Sequence, residues 1–209
     1  MFLKNSKINN YNIVVYYRKK ISNIMSSIYY QPTKPMNEDQ VRADKEGKCA
    51  VWKHLTEKFQ NVIRIYDTDH KSKQCKVDFV CEFANGHINF IDVKHRMDAT
   101  STLWKTTFIS AAKIQNMYYH SQKFPNSSAY VYVHYADDAL YRFDVKHIFE
   151  IYAPSVNRVR KSRLGLGDNV MKDELIYEID IEKDGFFCGF YSVQDKDLME
   201  YFDWNLDKK

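Results

Sequence analysis

Apolar residues in the stretch "NEDQVRADKEGKCAVWKHLTEKFQ" recur with the period of a helix. Val41, Cys49, Trp52, Leu55 and Phe59 share one face, which predicts a helix from about Asn37 to Phe59. "NVIRIYDT" then reads as a strand. "CKVDFVCEF" and "HINFIDVKH" read as two more strands around "ANG", a strong hairpin signal. A longer helix is predicted next, with Ser101 or Thr102 as N-cap and an end near Phe124. Trp104, Phe108, Ala111, Gln115 and Tyr119 fall near one face of it. "AYVYVHY" is strand-like, "DD" a turn, "LYRFDV" another strand, and a short helix continues to about Tyr152. After Pro154, "NRVRKSRLGLGDN" predicts a basic, glycine-containing loop. "ELIYEIDI" and "FFCGFYSV" predict a further hairpin, and "DKDLMEYF" a closing helix. The order helix, three strands, helix, strands is that of an α/β fold with a mixed central β-sheet flanked by helices.

Composition adds boundaries to this pattern. Residues 1–37 contain six basic residues (Lys4, Lys7, Arg18, Lys19, Lys20 and Lys34) and no acid. With "QPTKP" as a Pro-bounded linker, they are expected to form a flexible basic extension. Residues 38–153 are the expected core. Residues 154–209 would be an appended basic loop, hairpin and helix. The net charge of +4 comes from the extension: without those six cations the chain has 25 basic and 27 acidic residues. Global charge therefore does not establish a nucleic-acid partner, and a local patch must. The four cysteines form no CxxC pair or zinc-finger spacing, so reduced, packed thiols are expected. No apolar run approaches the ~20 residues of a membrane span, and "YNIVVYY" has no small-residue cleavage site beside it. No membrane association and a cytoplasmic, intracellular location are the expectation.

The tetrapeptide DVKH occurs twice, at 92–95 and 144–147. In the first copy, Asp92 and Lys94 project to one strand face with Ile88 and Phe90, whereas Ile91 and Val93 point to the other. A charged tip on an apolar face needs a partner, because an unpaired buried charge is costly. The hairpin offers Asp78. A two-residue Asn85-Gly86 loop would put Asp78 opposite Val93. A three-residue Ala84-Asn85-Gly86 loop with left-handed Gly86 would put it opposite Asp92, with Val77, Phe79, Ile91 and Val93 forming a core face. The second register is the one we expect. Two adjacent carboxylates repel, and a divalent cation such as Mg²⁺ relieves that repulsion through hard oxygen ligands. A lysine beside the metal can orient and help deprotonate an attacking water. This is the equipment of metal-assisted phosphodiester hydrolysis.

At this point the sequence resembles the PD-(D/E)XK nuclease superfamily. The matching residues are "VDF" with Asp78, 13 intervening residues, and "IDVK" with Asp92 and Lys94. The resemblance covers about residues 38–150. It implies a restriction-endonuclease-like fold, Asp78 and Asp92 as ligands of Mg²⁺ (with Mn²⁺ able to substitute), the Val93 carbonyl as a further metal contact, and Lys94 as the catalytic lysine. Asp stands at position 92 where the superfamily more often has Glu, and Val77 stands in place of the usual Pro. "KEGKCAVWKHL" looks like the acid-bearing first helix, with Glu46 as the acid and Glu38 and Asp39 as rivals. "QNMYY" looks like the Q-x3-Y element of RecB-type nucleases and would make Gln115 and Tyr119 positioning residues. An iron–sulfur subgroup fits poorly, since only Cys188 lies near the C-terminus.

The second copy has no upstream Asp-bearing hairpin. Asp144 is placed to cap the helix that follows, with Phe143, Val145, Ile148 and Ile151 packing. "YDTDH", with Asp67, Asp69 and His70, reads as a solvated turn. "NRVRKSR" supplies Arg158, Arg160, Lys161 and Arg163 as candidate phosphate contacts, and His95 and Arg96 follow the candidate catalytic strand. The expected activity is that of a metal-dependent endo- or exodeoxyribonuclease. The alternative is a catalytically vestigial nuclease-fold protein that serves in nucleic-acid binding or as an assembly protein. DNA is the expected partner, and homodimerisation is open. Lys, Asn and Tyr richness suits an AT-rich genome such as a phage's.

Overall fold

Side chains alternate between the two faces of the central strands, and both faces are covered by apolar helix faces, which produces two cores, one on each side of a central sheet. The computed structural model describes residues 38–68, 77–97, 99–160 and 171–206. Its elements are α1 (Glu38–Lys58), β1 (Val62–Asp67), β2 (Phe79–Phe83), β3 (Ile88–Arg96), β4 (Thr106–Ser110), α2 (Ala111–Gln122), β5 (Ser127–Tyr135) and β6 (Ala139–Asp144). They continue with α3 (Val145–Ile151), β7 (Ser155–Arg160), β8 (Met171–Asp180), α4 (Ile181–Asp184), β9 (Phe186–Phe190) and α5 (Asp195–Leu206).

The central sheet has the order β1-β2-β3-β5-β6-β9. β3 and β5 run parallel and the other neighbours antiparallel, so the sheet is mixed. A parallel step needs a crossover, which β4 and α2 supply. On one face, α1 and α5 bury Cys49, Trp52, Leu55 and Tyr201 against Phe79, Cys81, Ile91 and Val93. Trp52 meets the rings of Tyr201 and Trp204 at 5.8 and 5.6 Å. On the other face, α2 and α3 bury Ile114, Met117 and Ile148 against Val80, Phe90, Val131 and Phe143. The α/β fold with a mixed sheet flanked by helices is the architecture expected from the sequence.

The hairpin forms the second of the two registers. Phe79 pairs with Ile91 and Glu82 with Ile88. Gly86 has φ +75° and donates its N–H to Phe83 O at 2.8 Å, closing a three-residue loop. A left-handed conformation of this kind favours glycine. Val77 departs from the expectation: it packs in the core under α2 and α3, not with Phe79, Ile91 and Val93. Regular strand alternation therefore breaks at Asp78.

Several elements differ from the sequence reading. The helix after β3 does not start near Ser101. Residues 106–110 form β4, and the helix begins only after Ser110, so Trp104 and Phe108 are not on it. β-branched Thr106, Thr107 and Ile109 favour a strand once β8 is there to pair with them. "NRVR" is likewise strand β7, not loop. β8 and β9 form no hairpin: β8 joins β4 and β7 in a separate antiparallel sheet, whereas β9 completes the central sheet beside β6. Ile151 is 61% exposed instead of packed. Asp67 is buried and accepts the Tyr201 hydroxyl, so it is no solvated turn residue; Asp69 and His70 lie outside the described residues. The extension 1–37 also lies outside them. Cys49 and Cys81 are buried free thiols and Cys188 is a partly buried one; Cys75 is outside the described residues. No helix among the described residues is long and apolar enough to cross a membrane.

Candidate active site

Where β2 gives out, Asp78 replaces ladder pairing with its own side chain. Its N–H donates to Ile91 O at 2.7 Å, and its Oδ2 accepts the Val93 N–H at 2.6 Å. Backbone N–H groups of a strand point within the plane of the sheet. The Asp78 carboxylate therefore lies in that plane at the strand end, flanking Asp92. Lys48 of α1 approaches its Oδ1 at 3.4 Å and also pairs with Asp44 at 2.9 Å.

Asp92 shares the sheet face of Phe90 and is 1% exposed. Two ammonium groups meet it: Lys94 Nζ lies 2.7 Å from Oδ2 and Lys113 Nζ 2.6 Å from Oδ1. Lys94 also reaches the Val93 carbonyl at 3.4 Å. α1 crosses β3 closely at Gly47, where a Cβ would lie 3.0 Å from His95 Cβ and 3.3 Å from Val93 Cγ1. The absent side chain lets the helix bring Lys48 and Asp44 to the strand end.

These neighbours push the ionisations apart. Burial raises the Asp78 carboxyl above its ordinary range, and the charge of Asp92 adds to the rise while Lys48 opposes it. Burial alone would raise Asp92 too, but Lys113 and Lys94 outweigh it and hold that carboxyl well below the usual range. Burial lowers the Lys94 ammonium, with Lys113 adding to the effect and Asp92 resisting it. A carboxylate kept charged beside a lysine inclined to give up its proton is an arrangement suited to acid–base work.

The remaining candidates are placed as follows. Glu46 accepts from Arg42 at 2.8 Å and lies 3.9 Å from His95. It is Asp44, through Lys48, that connects the first helix to Asp78. His95 meets the Ala43 carbonyl at 2.8 Å, and Arg96 donates to Phe108 O at 2.5 Å, so both have partners within the fold. Tyr119 is 57% exposed and packs against Tyr118 and Phe149. No hydrogen bond or ion pair among the described residues joins Gln115 or Tyr119 to Asp78, Asp92 or Lys94. Arg158 and Arg160 lie on β7; Lys161 and Arg163 lie outside the described residues.

Lys48 and Lys113 are the residues that sequence reasoning missed. Lys48 had a signal, because it shares a helical face with the apolar Trp52 and Leu55. Lys113 was hidden by the misplaced helix start, which buried it in mid-helix instead of the first turn. Among the described residues no group of three or more His, Cys, Asp or Glu is assembled to hold a metal. The oxygens at hand are two carboxylates and the Val93 carbonyl. That donor set fits Mg²⁺, which takes one or two carboxylates and completes its shell with water and substrate oxygens.

No family model and no curated protein matches the chain. Among solved structures, the Holliday junction resolvase Hjc from Archaeoglobus fulgidus aligns at 17% identity and a TM-score of 0.33. The alignment covers 56% of this chain and 76% of that chain. It is too loose to transfer a role to any residue.

Proposed function

We propose that the chain is a Mg²⁺-dependent nuclease that hydrolyses phosphodiester bonds in DNA. The observation that carries this reading is the convergence of Asp78, Asp92 and Lys94 at the end of the β2–β3 hairpin. Asp78, Asp92 and the Val93 carbonyl would hold the metal. When bound, the metal would lower the pKa of a coordinated water and stabilise charge on a phosphoryl oxygen. Lys94, its ammonium destabilised by burial, orients the attacking water and, in its neutral amine form, accepts the water's proton to become the ammonium. Asp92, kept ionised, fixes the Lys94 head group beside the scissile phosphate. Asp44 is the first-helix acid nearest this chemistry, ahead of Glu46.

A second reading is a nucleic-acid-binding or assembly protein with a vestigial site. One observation favours it: the two carboxylates are already neutralised by lysines. The deciding experiment incubates the full chain with linear, circular, single-stranded and branched DNA, with Mg²⁺ or with EDTA. Cleavage that needs Mg²⁺ and disappears in Lys94→Ala and Asp92→Asn supports the nuclease. Binding without cleavage on every substrate selects the second reading.

A further inference from the structure

Three aspartates and three lysines form two neighbouring ion-pair triads, Asp44–Lys48–Asp78 and Lys94–Asp92–Lys113, and the charges of Asp92 and Lys113 act on Asp78. The two lysines outside the DVKH motif are held differently. Lys48 is 2% exposed and fixed between Asp44 and Asp78. The Lys113 side chain is 21% exposed and reaches Asp92 Oδ1 from the third position of α2. That first turn contains no acidic residue, and the N-cap Ser110 makes no side-chain cap bond. The helix dipole disfavours a cation at this end, so the lysine stands there against the local field and toward Asp92.

A carboxylate 1% exposed cannot stay unpaired without a large desolvation cost. A chain that folds before it meets metal therefore needs internal cations at Asp92: Lys94 supplies one at Oδ2 and Lys113 the other at Oδ1. We infer that Lys113 is a stand-in: it holds the cation position at Asp92 Oδ1 in the metal-free protein and gives way when a divalent cation binds. The inference rests on the reading of Asp78 and Asp92 as metal ligands. An ammonium 2.6 Å from that oxygen and a metal at ~2.1 Å would stand close enough to repel strongly in a site that excludes water. Lys113 and Lys94 both have a route to solvent and Lys48 has none; of the two lysines on Asp92, Lys94 is the one the proposed chemistry keeps beside the attacking water, which leaves Lys113 to withdraw. On leaving Asp92, the Lys113 head group stays at the mouth of the site, where it can meet a phosphodiester. Lys113 is thus a positioning residue, and its effect is visible before any substrate is added.

The test is calorimetric titration of the full chain with Mn²⁺ and with Mg²⁺, without nucleic acid, alongside melting in EDTA. Lys113→Met is expected to tighten metal binding about tenfold, since it removes a competing charge. It is also expected to lower the melting temperature in EDTA and to enlarge the rise that metal produces. Lys113→Arg keeps the charge and should retain wild-type affinity. Unchanged or weaker metal binding by Lys113→Met overturns the inference, as does a variant that stays unfolded at saturating Mn²⁺. If the wild type binds neither cation, the metal-site reading falls and this inference with it. If the wild type binds and Lys113→Met binds equally well, only the stand-in role falls.

Discussion

Asp78 Oδ2 accepts the Val93 amide at 2.6 Å, so an acid at the end of one strand holds the backbone of the strand that carries Asp92 and Lys94. The same carboxylate is a structural cap and a candidate metal ligand. The two roles separate by substitution. Asp78→Ala leaves the Val93 N–H and Lys48 short of a partner and should cost about 1–3 kcal/mol in urea denaturation. Asp78→Asn keeps an acceptor oxygen and should recover much of that stability, yet Mg²⁺-dependent cleavage should be lost in both. An Asn variant as active as wild type would remove Asp78 from the metal site.

The two copies of DVKH offer an internal control. Asp144 Oδ1 accepts from the His147 N–H at 3.0 Å and caps α3. Lys146 is largely exposed and lies 3.9 Å from Glu150. Asp144→Ala should therefore cost about 1 kcal/mol of stability and leave cleavage unchanged. Lys146→Ala should stay within about 0.5 kcal/mol. Lys94→Ala should retain the fold and lose cleavage. Equal loss of activity on disabling either copy would contradict this division.

Acid should weaken the fold through two buried histidines. Burial lowers His54 and His134 to about 4, with Arg142 adding to the effect at His54 and His95 at His134. His54 meets the Tyr191 hydroxyl at 2.8 Å, and His134 donates to the Tyr191 carbonyl at 3.0 Å. The folded state favours the neutral ring, whereas the unfolded chain protonates near 6.5. Above that pH both rings are neutral in either state, and their titration does not change stability. As pH falls from about 6.5 toward about 4, the unfolded state gains protons first, and stability declines by up to about 3 kcal/mol per histidine. Denaturant midpoints at pH 7.5 and 5.0 measure this. A double His54→Gln, His134→Gln variant should show a much smaller difference between the two, and an unchanged difference would assign the decline elsewhere.

Gly86→Ala tests the loop that sets the register. At φ +75° an L-residue with a Cβ pays roughly 1–2 kcal/mol. The variant should lose that much stability while keeping the Asp78–Val93 bond, which an amide-exchange measurement at Val93 reports. A stability equal to wild type would mean the loop relaxes to another turn.

Much of the fold was legible because it depends on local pattern. The face of α1 with Cys49, Trp52 and Leu55, the Asn-Gly hairpin and the Asp144 cap are all set by residues close together in the chain. The hairpin itself was legible, but its register was not: the sequence allowed a two- or a three-residue loop, and only Gly86 at φ +75° with Phe79 opposite Ile91 selects the one that sets Asp78 beside Asp92. β4 was not legible, because Thr106–Ser110 becomes a strand only through pairing with β8, some seventy residues later. The separation of β8 from β9 was hidden likewise, since each finds its partner in a different sheet.

The sequence by itself placed Asp78, Asp92 and Lys94 on one predicted hairpin, because their spacing is local. Only the tertiary structure decided what neutralises them. Lys48 and Lys113 reach the strand end from helices on opposite faces of the sheet, and no local rule links a first-turn lysine to an aspartate on a distant strand. That long-range placement sets the charge of Asp92 and the ease with which Lys94 gives up its proton, because in a buried site ionisation follows whichever charges the packing brings within a few ångströms.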